Sequence, residues 1–290
     1  MKYAYYPGCS AHSTARDMHE SCVAVAGALG IRLQEIKGWT CCGATAAHQT
    51  DRVLAASLAS ANLVLAREMG MDMLVNCAAC YNRSKSANYE MINSPSVREK
   101  VNSLIGKSYD GSEQVRHFIE VIYKDIGLPK LKKKIKHPLG GLKVACYYGC
   151  YLLRPAEMTG FDDPENPSIL EDLIEAMGGI GLEWPGKVEC CGGSHNLTRT
   201  ELTVERSGAI VEMAKESGAD CIAVACPMCQ TSLDLRQSDI EKALHKKYRL
   251  PVFYVTQLLG LCLGLPPKEL GINRLMVPPA AVLKATAESI

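Results

Sequence analysis

The chain has 290 residues, 47% of them apolar, with 32 basic and 31 acidic residues. This length suffices for one large hydrophobic core or for two domains of ordinary size. A net charge of +1 and an aromatic content of 6% argue against nucleic-acid binding, which needs a basic surface or aromatic stacking platforms. The sequence shows neither a signal-peptide pattern nor an apolar run of the roughly 18 residues that span a bilayer. We therefore expect a cytoplasmic protein without a membrane span.

Strands and helices alternate in the first half, as judged from the period of the apolar residues. The pattern predicts strands at 2–6, 31–36 and 73–76 and helices at 13–29 and 46–69. Each predicted strand is followed by one or two cysteines. In chain order these are Cys9, Cys41, Cys42, Cys77 and Cys80.

A basic segment with proline and glycine at 130–141 predicts a linker. We therefore divide the chain into an N-terminal domain at 1–138 and a C-terminal domain at 139–290. The second half predicts strands at 142–148, 181–184 and 221–225 and helices at 168–177 and 198–217. Its strands are again followed by cysteines, which are Cys150, Cys190, Cys191, Cys226 and Cys229.

The cysteine spacing indicates that the two halves are related. In both halves 34 residues lie between the Cys-Cys pair and the first cysteine of the Cys-x-x-Cys turn. Between the first cysteine of each half and its Cys-Cys pair there are 31 residues in the first half and 39 in the second. Such self-similarity is the signature of a duplicated unit, and a longer surface loop in one copy has a small entropic cost. We predict an α/β fold of two pseudo-symmetric βαβαβ repeats, each with a parallel sheet and flanking helices.

Ten of the 14 cysteines are predicted to form two metal sites. Ligands collect beyond the carboxyl ends of parallel strands, so the five cysteines of each half are expected to converge there. Zinc and an ordinary cubane cluster each take four thiolates. Five cysteines, two of them adjacent, therefore favour an unusual iron–sulfur centre over zinc. Of the remaining cysteines, Cys22, Cys221 and Cys262 fit apolar core patterns, and Cys146 is left open.

The pattern C-x31–39-C-C-x34-C-x-x-C, present twice, resembles the cysteine-rich CCG domain family, and within it the heterodisulfide reductase B subunits. The phrases YYPGCS and CCGATAAH are similar to bacterial members. The resemblance implies two non-cubane [4Fe-4S] clusters. The first would be bound by Cys9, Cys41, Cys42, Cys77 and Cys80, and the second by Cys150, Cys190, Cys191, Cys226 and Cys229.

The resemblance also implies an activity and partners. A disulfide would lie between the clusters, each of which supplies one electron for its cleavage, and thiols would be oxidised in the reverse direction. In bacteria the substrate is expected to be a sulfur carrier or a protein-bound lipoyl group. Because this sequence has no ferredoxin or nucleotide-binding motif, electrons would arrive from a ferredoxin-type C subunit and a flavoprotein A subunit.

Side chains beside the cysteines are expected to line the ligand pocket. His48 and His195 each follow a Cys-Cys-Gly turn and are the candidate proton donors, because histidine titrates near neutral pH. His12, Tyr81 and Tyr151 are further candidates for the lining.

Two alternatives remain open. The chain could be an electron-transfer iron–sulfur subunit of a flavin-dependent dehydrogenase complex, although such relatives often carry ferredoxin motifs in the same chain. It could also be a zinc-binding scaffold without catalytic activity. The tail at 266–290 predicts a docking segment or a capping helix.

Overall fold

The computed structural model describes residues 1–44 and 46–287. The strands of the first half are β1 (Lys2–Tyr6), β2 (Arg32–Glu35), β3 (Met73–Val75) and β4 (Val115–His117). Its helices are α1 (Arg16–Leu29), α2 (Ala47–Thr50), α3 (Arg52–Glu68), α4 (Ala78–Asn93), α5 (Pro95–Ile105), α6 (Phe118–Glu120) and α7 (Leu128–Lys132).

The second half has the same order of strands. These are β5 (Lys143–Tyr147), β6 (Ile180–Gly181), β7 (Cys221–Val224) and β8 (Val252–Tyr254). Its helices are α8 (Ala156–Thr159), α9 (Ile169–Ala176), α10 (Thr200–Glu216), α11 (Pro227–Gln230), α12 (Gln237–Leu244), α13 (Val255–Cys262) and α14 (Ala280–Ala287).

Each half forms a four-stranded sheet, with strand orders β2-β1-β3-β4 and β6-β5-β7-β8. All neighbouring strands are parallel. The matching orders confirm the predicted α/β fold of two related repeats. The fourth strand of each sheet was not predicted, because three residues are too few to establish a period of two. The predicted strand at 181–184 is limited to Ile180–Gly181.

Local chemistry explains where the helices begin and end. The predicted helix at 46–69 is two helices, because the carboxylate of Asp51 accepts the N–H of Leu54 at 2.6 Å and caps α3 as a separate segment. Helix α1 ends at Gly30, which adopts the left-handed conformation that glycine tolerates. Its buried face includes Met18 and Cys22, which pack against the first sheet as part of the core.

The two halves pack closely against each other. Helix α1 lies on α13, and α4 lies on α8. The buried hydroxyls of Ser21 and Thr256 are 2.7 Å apart across this interface. Cys22, Cys146, Cys221 and Cys262 are all fully buried and line the core of their halves. Within the part of the chain that the structure describes, no helix combines the length and apolar character needed to cross a bilayer.

The linker and the tail both contact more than one part of the fold. The N–H groups of Lys136 and His137 donate to the carbonyl of Cys262 at 2.8 and 3.1 Å, so the end of the linker lies on the second half. Arg274 in the tail pairs with Glu20 of α1 at 3.0 Å, so the tail joins the halves. The boundary between residues 138 and 139 stays a prediction.

Candidate metal centre at the two sheet edges

Five cysteines of the first half, here called the first set, lie beyond the carboxyl ends of β1, β2 and β3. The sulfurs of Cys9 and Cys41 are 3.7 Å apart, and those of Cys42 and Cys80 are 3.5 Å apart. Cys77 immediately precedes α4, where the helix dipole favours a thiolate. The first set therefore brings together cysteines from three separate loops.

The second set repeats this arrangement in the second half. The sulfurs of Cys150 and Cys190 are 4.0 Å apart, and those of Cys191 and Cys229 are 3.6 Å apart. The N–H of Gly192 donates to the Cys190 sulfur at 3.5 Å, just as Gly43 donates to Cys41 at 3.4 Å. The two sets therefore share one local geometry.

The two sets meet at Cys77 and Cys226. Each stands next to a residue of a direct hydrogen bond between the halves, in which the N–H of Ala78 donates to the carbonyl of Ala225 at 3.3 Å. The two sets therefore lie on either side of the interface between the halves. Among residues 1–44 and 46–287, no three His, Cys, Asp or Glu side chains are arranged as ligands of a single metal ion.

Contacts between thiols make one member of several pairs acidic. A hydrogen bond from Cys150 lowers the pKa of Cys190 to about 6, while the same contact raises the pKa of Cys150. In the first set, contact with Cys41 lowers the pKa of Cys42. Thiolates are the form that binds metal, and in each of these pairs one thiol favours that form while its partner keeps the proton.

A cleft lies at the second set. It has a volume of about 20 Å³, and all five cysteines of the set line it together with Tyr151 and Ser194. In each set the first cysteine and the first member of the Cys-Cys pair are the more exposed, and the other three are buried. A thiophilic metal could therefore bind inside the cleft and still be reached from solvent.

Glycine allows the backbone to approach these sulfurs closely. A Cβ atom on Gly8 would lie 2.9 Å from the Cys80 sulfur, and one on Gly149 would lie 3.3 Å from the Cys229 sulfur. Both glycines have positive φ angles, of 77° and 65°. A side chain at either position would occupy space beside a ligand thiol.

Two tyrosines that the sequence analysis missed support the Cys-Cys turns. The hydroxyl of Tyr6 donates to the carbonyl of Thr40 at 2.7 Å, and that of Tyr147 donates to the carbonyl of Glu189 at 2.6 Å. Each carbonyl belongs to the residue before a Cys-Cys pair. Burial and the nearby thiols raise the pKa of both tyrosines, so each remains a neutral hydrogen-bond donor. Each tyrosine lies three residues before the first cysteine of its set, and this repeated spacing is the sequence signal that could have identified the pair.

The two predicted histidines occupy different environments. His48 lies in α2, half-buried, and burial and then the charge of Arg83 lower its pKa. His195 lies in a short 3-10 turn and is exposed, with its charge close enough to affect Cys190. Their role as proton donors stays a prediction.

The other expected lining residues are dispersed. Tyr151 lines the second-set cleft. His12 is exposed and stacks on Trp39 with ring centroids 5.6 Å apart. Tyr81 is buried, and its hydroxyl donates to the carbonyl of Thr159 in the other half at 2.6 Å, so it contributes to the interface between the halves.

Another symmetric pair lies at the ends of the fourth strands. His117 pairs with Val75 in the first sheet, and Tyr254 pairs with Val224 in the second. Both are buried, and neither His117 Nε2 nor the Tyr254 hydroxyl has a hydrogen-bond partner in the described ranges. Burial lowers the pKa of His117 to about 4, so this imidazole is neutral at neutral pH.

Comparison with known proteins agrees with this duplication. Residues 3–83 and 144–234 each match the cysteine-rich domain (CCG) family. The chain is 35% identical to the 8-methylmenaquinol:fumarate reductase membrane anchor subunit of Wolinella succinogenes, over 94% of this chain and 95% of that protein. It is 36% identical to the B subunit of a CoB-CoM heterodisulfide reductase from Methanosarcina acetivorans, over 83% and 82%. It is 34% identical to a protein of Archaeoglobus profundus that is named as similar to heterodisulfide reductase B subunits, over 93% of each chain.

A solved structure shares the fold. The crystal structure of a hypothetical protein from Helicobacter pylori superposes with a TM-score of 0.74 at 10% identity, covering 95% of this chain and 52% of that one. This chain therefore spans about half the length of that protein. The two matched domains, each with one set of cysteines, and the near full-length alignments show that the chain belongs to the cysteine-rich CCG domain family, alongside the heterodisulfide reductase B subunits.

Proposed function

We propose that this chain is the iron–sulfur subunit of a heterodisulfide reductase-like complex, which reduces a disulfide or, in reverse, oxidises thiols. The observation that carries the proposal is that the two five-cysteine sets face each other between the halves: Ala78, beside Cys77, donates to the carbonyl of Ala225, beside Cys226, at 3.3 Å and lines the cleft of the second set. Two separate redox centres that face each other suit a two-electron reaction at one bond. Relatives named as heterodisulfide reductase B subunits support the choice of substrate class.

The donor set fits two iron–sulfur clusters. Each half offers five thiols and no competing carboxylate in its set, and thiolates are the usual ligands of such clusters. The glycines beside Cys80 and Cys229 keep side chains away from these ligand thiols. We propose that each set binds one non-cubane [4Fe-4S] cluster, which when bound supplies one-electron redox chemistry.

The surrounding residues would bind and protonate the substrate. Tyr151 lies at the mouth of the second-set cleft and would contact a ligand placed there. His48 and His195 are proposed as proton donors to the product thiols. We further propose that a ferredoxin-type subunit and a flavoprotein subunit deliver electrons in the cytoplasm.

Metal analysis of anaerobically purified protein tests the cofactor. We expect about eight iron atoms and as many sulfides per chain, from two four-iron clusters. Cys77→Ala should lower the iron content, whereas Cys262→Ala, at a buried core position far from both sets in sequence, should leave it unchanged. Zinc without iron would reject the proposal in favour of the zinc scaffold.

Electron paramagnetic resonance tests the reaction. Oxidised protein treated with candidate thiols should give a cluster signal that depends on the thiol. Cluster signals that do not change with any thiol or disulfide would indicate that the chain only relays electrons.

Histidine variants test the proton donors separately. His48→Ala and His195→Ala should keep the iron content and lower turnover. His245→Asn is the control, because His245 lies at the end of α12 with a φ of 51°, which asparagine tolerates. Full turnover in both alanine variants would remove the histidines from the mechanism.

A second candidate function is electron transfer within a membrane-associated complex. The Wolinella succinogenes relative, aligned over nearly the full length of both chains, is named as a fumarate reductase membrane anchor subunit. In that case the chain would pass electrons between a quinol and a flavin-dependent reductase. Reduction of the clusters by a menaquinol analogue in vesicles, with no response to disulfides, would favour this candidate.

A further inference from the structure

A basic cavity lies beside the first set of cysteines. It has a volume of about 100 Å³, enough to admit a small acid group. Four of its lining residues are ionisable: His48, Arg52, Arg83 and Glu90. The other lining residues are small, so they leave the cavity accessible.

The cavity contains one positive charge that no carboxylate neutralises. Arg52 is paired with Glu90, with Nε and Oε1 2.8 Å apart. Arg83 donates one Nη2 hydrogen bond to the neutral amide of Asn82. Its buried Nε finds no partner within the described part of the chain. Arginine stays protonated in proteins, and the half-buried guanidinium of Arg83 has unused donors and no carboxylate partner, so the cavity favours an anion.

The second half lacks this feature. The cysteine pattern repeats at an offset of 149, which places Ser232 at the position of Arg83, Glu201 at that of Arg52 and Leu197 at that of His48. Both sets nevertheless have the same cysteines and the same sulfur contacts. The basic cavity is therefore unnecessary for holding the cysteines, and its asymmetry indicates recognition of something that meets only the first half.

Arg83 also lies between the two sets. Its guanidinium carbon is 5.8 Å from the centre of the Tyr151 ring, and Tyr151 follows Cys150 of the second set. Arg83 also follows Cys80 of the first set by three residues in α4, so the two lie on the same side of that helix. A ligand anchored on Arg83 would therefore reach both groups of thiols.

We infer that this cavity binds a carboxylate group of the substrate, so that the thiol or disulfide is a small organic acid. The inference rests on the proposed function for the identity of the reacting group. A guanidinium binds a carboxylate through two parallel hydrogen bonds, and Arg83 has unused donors. The acid group would hold one end of the molecule beside the first set while its sulfur extends towards the junction at Cys77 and Cys226.

Binding of inert analogues tests this inference. Thiodipropionate is a thioether with a carboxylate at each end, and thiodiethanol is its neutral counterpart. Neither has an S–S bond, so neither can be reduced or exchange with protein thiols. Calorimetry on the anaerobically purified full chain should show that thiodipropionate binds more tightly than thiodiethanol. Arg83→Gln should weaken thiodipropionate binding by about tenfold or more, as expected for a charge-assisted hydrogen bond, and leave thiodiethanol unchanged.

Two further variants guard against misfolding. Arg83→Lys keeps the charge but loses the planar fork, so it should bind thiodipropionate with intermediate affinity. Arg199→Gln removes an exposed arginine of the second half, which pairs with Glu201, and should bind like the unmodified chain. Equal binding of the diacid by Arg83→Gln, Arg83→Lys and the unmodified protein would overturn the inference.

The same experiment also distinguishes an organic carboxylate from a free inorganic anion. If inorganic phosphate binds as tightly as thiodipropionate and displaces it, the cavity takes a free anion and the organic-acid inference is wrong. Iron content and thiol-dependent resonance signals are measured on the same preparations. Arg83-dependent binding in protein without clusters would support the carboxylate site while rejecting the proposed function.

Discussion

The hydroxyls of Tyr6 and Tyr147 connect the first strand of each sheet to its Cys-Cys turn. Both side chains are buried, and each donates to a carbonyl that precedes the paired cysteines. The Thr40 carbonyl also accepts the Asn62 amide at 2.9 Å, and Glu189 is exposed, so the loss of either hydroxyl removes one hydrogen bond and does not strand a buried carbonyl. Each tyrosine holds its Cys-Cys turn against the first strand of the sheet.

We predict that Tyr6→Phe and Tyr147→Phe each lower the free energy of unfolding by about 0.5–1.5 kcal/mol, the usual net value of one hydrogen bond. Each should also lower iron retention in its own half, because the turn carrying two ligands is released. Urea unfolding and iron analysis measure these effects. Tyr89→Phe is the control, since Tyr89 is partly exposed, and it should change neither quantity. A loss of stability with full iron retention would limit the tyrosines to a structural role.

The sequence allowed the cysteines to be predicted as sites but not their neighbours. The cysteines repeat with equal intervals, and that regularity requires no knowledge of the fold. Tyr6 and Tyr147 are hidden in apolar strands, where a tyrosine is expected to be an ordinary core residue. Arg83 was missed because an arginine on a predicted helix normally faces solvent. Its significance emerges only when the packing places it beside Tyr151.

At the scale of elements, the turn after β1 is shaped by a glycine that no other residue can replace easily. Gly8 has φ 77° and ψ 160°, and Gly127 has the similar angles of 78° and 146°. A Cβ on Gly8 would lie 2.9 Å from the Cys80 sulfur, whereas one on Gly127 would meet its nearest atom at 3.9 Å. The two glycines have the same kind of backbone conformation, but only Gly8 lies against a ligand cysteine.

We predict that Gly8→Ala and Gly127→Ala destabilise the fold to a similar degree, by about 1–3 kcal/mol, because both force alanine into a glycine conformation. Only Gly8→Ala should also displace the Cys80 thiol and reduce the iron content towards half. Thermal unfolding and iron analysis of the two variants separate strain from displacement. An equal loss of iron in Gly127→Ala would show that strain alone disturbs the site.

The pattern of apolar residues predicted the first three strands of each sheet and missed β4 and β8. Long buried strands such as β1 produce a clear apolar run, whereas β4 contains Arg116 and His117 within three residues. The position of His117 at the end of that strand follows from pairing with Val75. Such pairing is a long-range contact, which a local sequence pattern does not encode.

At the scale of the whole molecule, the tail is attached through a buried carboxylate. Asp234 accepts the N–H groups of Met276 and Val277 at 2.8 and 3.1 Å and the amide of Gln230 at 3.0 Å. Burial raises its pKa from 3.8 to about 6. The folded state therefore holds a proton on Asp234 at pH values where the unfolded chain has lost it.

We predict that this group stabilises the fold fully below about pH 4 and loses that contribution as the pH rises through about 6. The size is about 3 kcal/mol, from a shift of about two units. Asp234→Asn lacks the ionisation, so its stability relative to the unmodified chain should rise over this range. Denaturant unfolding of metal-free protein measures it, because metal binding itself depends on pH. Asp72→Asn, at an exposed position, should show no such trend, and a flat difference for Asp234→Asn would contradict the prediction.

The duplication was visible in the sequence, but the way in which the halves join was not. The 34-residue intervals predict two related units, but they do not indicate which surfaces of the two units pack together. Cys77 and Cys226 are 149 residues apart in the chain, and their neighbours Ala78 and Ala225 are joined by a hydrogen bond between the halves. The linker at 130–141 was predicted from composition, yet its end is hydrogen-bonded to the second half, because a short connection between packed units is itself packed.

The last prediction concerns the seam between the halves, where α4 packs against the loop that follows Cys150. Asn82 is buried in α4, and its amide donates to the carbonyls of Tyr151 and Arg154 in the second half at 3.0 and 2.8 Å. Asn82→Ala should leave both carbonyls without these bonds and lower the free energy of unfolding by about 2–4 kcal/mol. Because the seam also aligns Cys77 with Cys226, the variant should release iron from both sets together.

Asn93→Ala is the matched control for this change. Asn93 is exposed, and its amide donates to the Tyr89 carbonyl of its own helix at 2.8 Å, so its removal should shift stability by less than about 1 kcal/mol. Unfolding curves followed by iron absorbance and by circular dichroism should coincide in the unmodified chain. If Asn82→Ala loses iron from one set only, the two sites are supported independently, and the seam has no part in holding them.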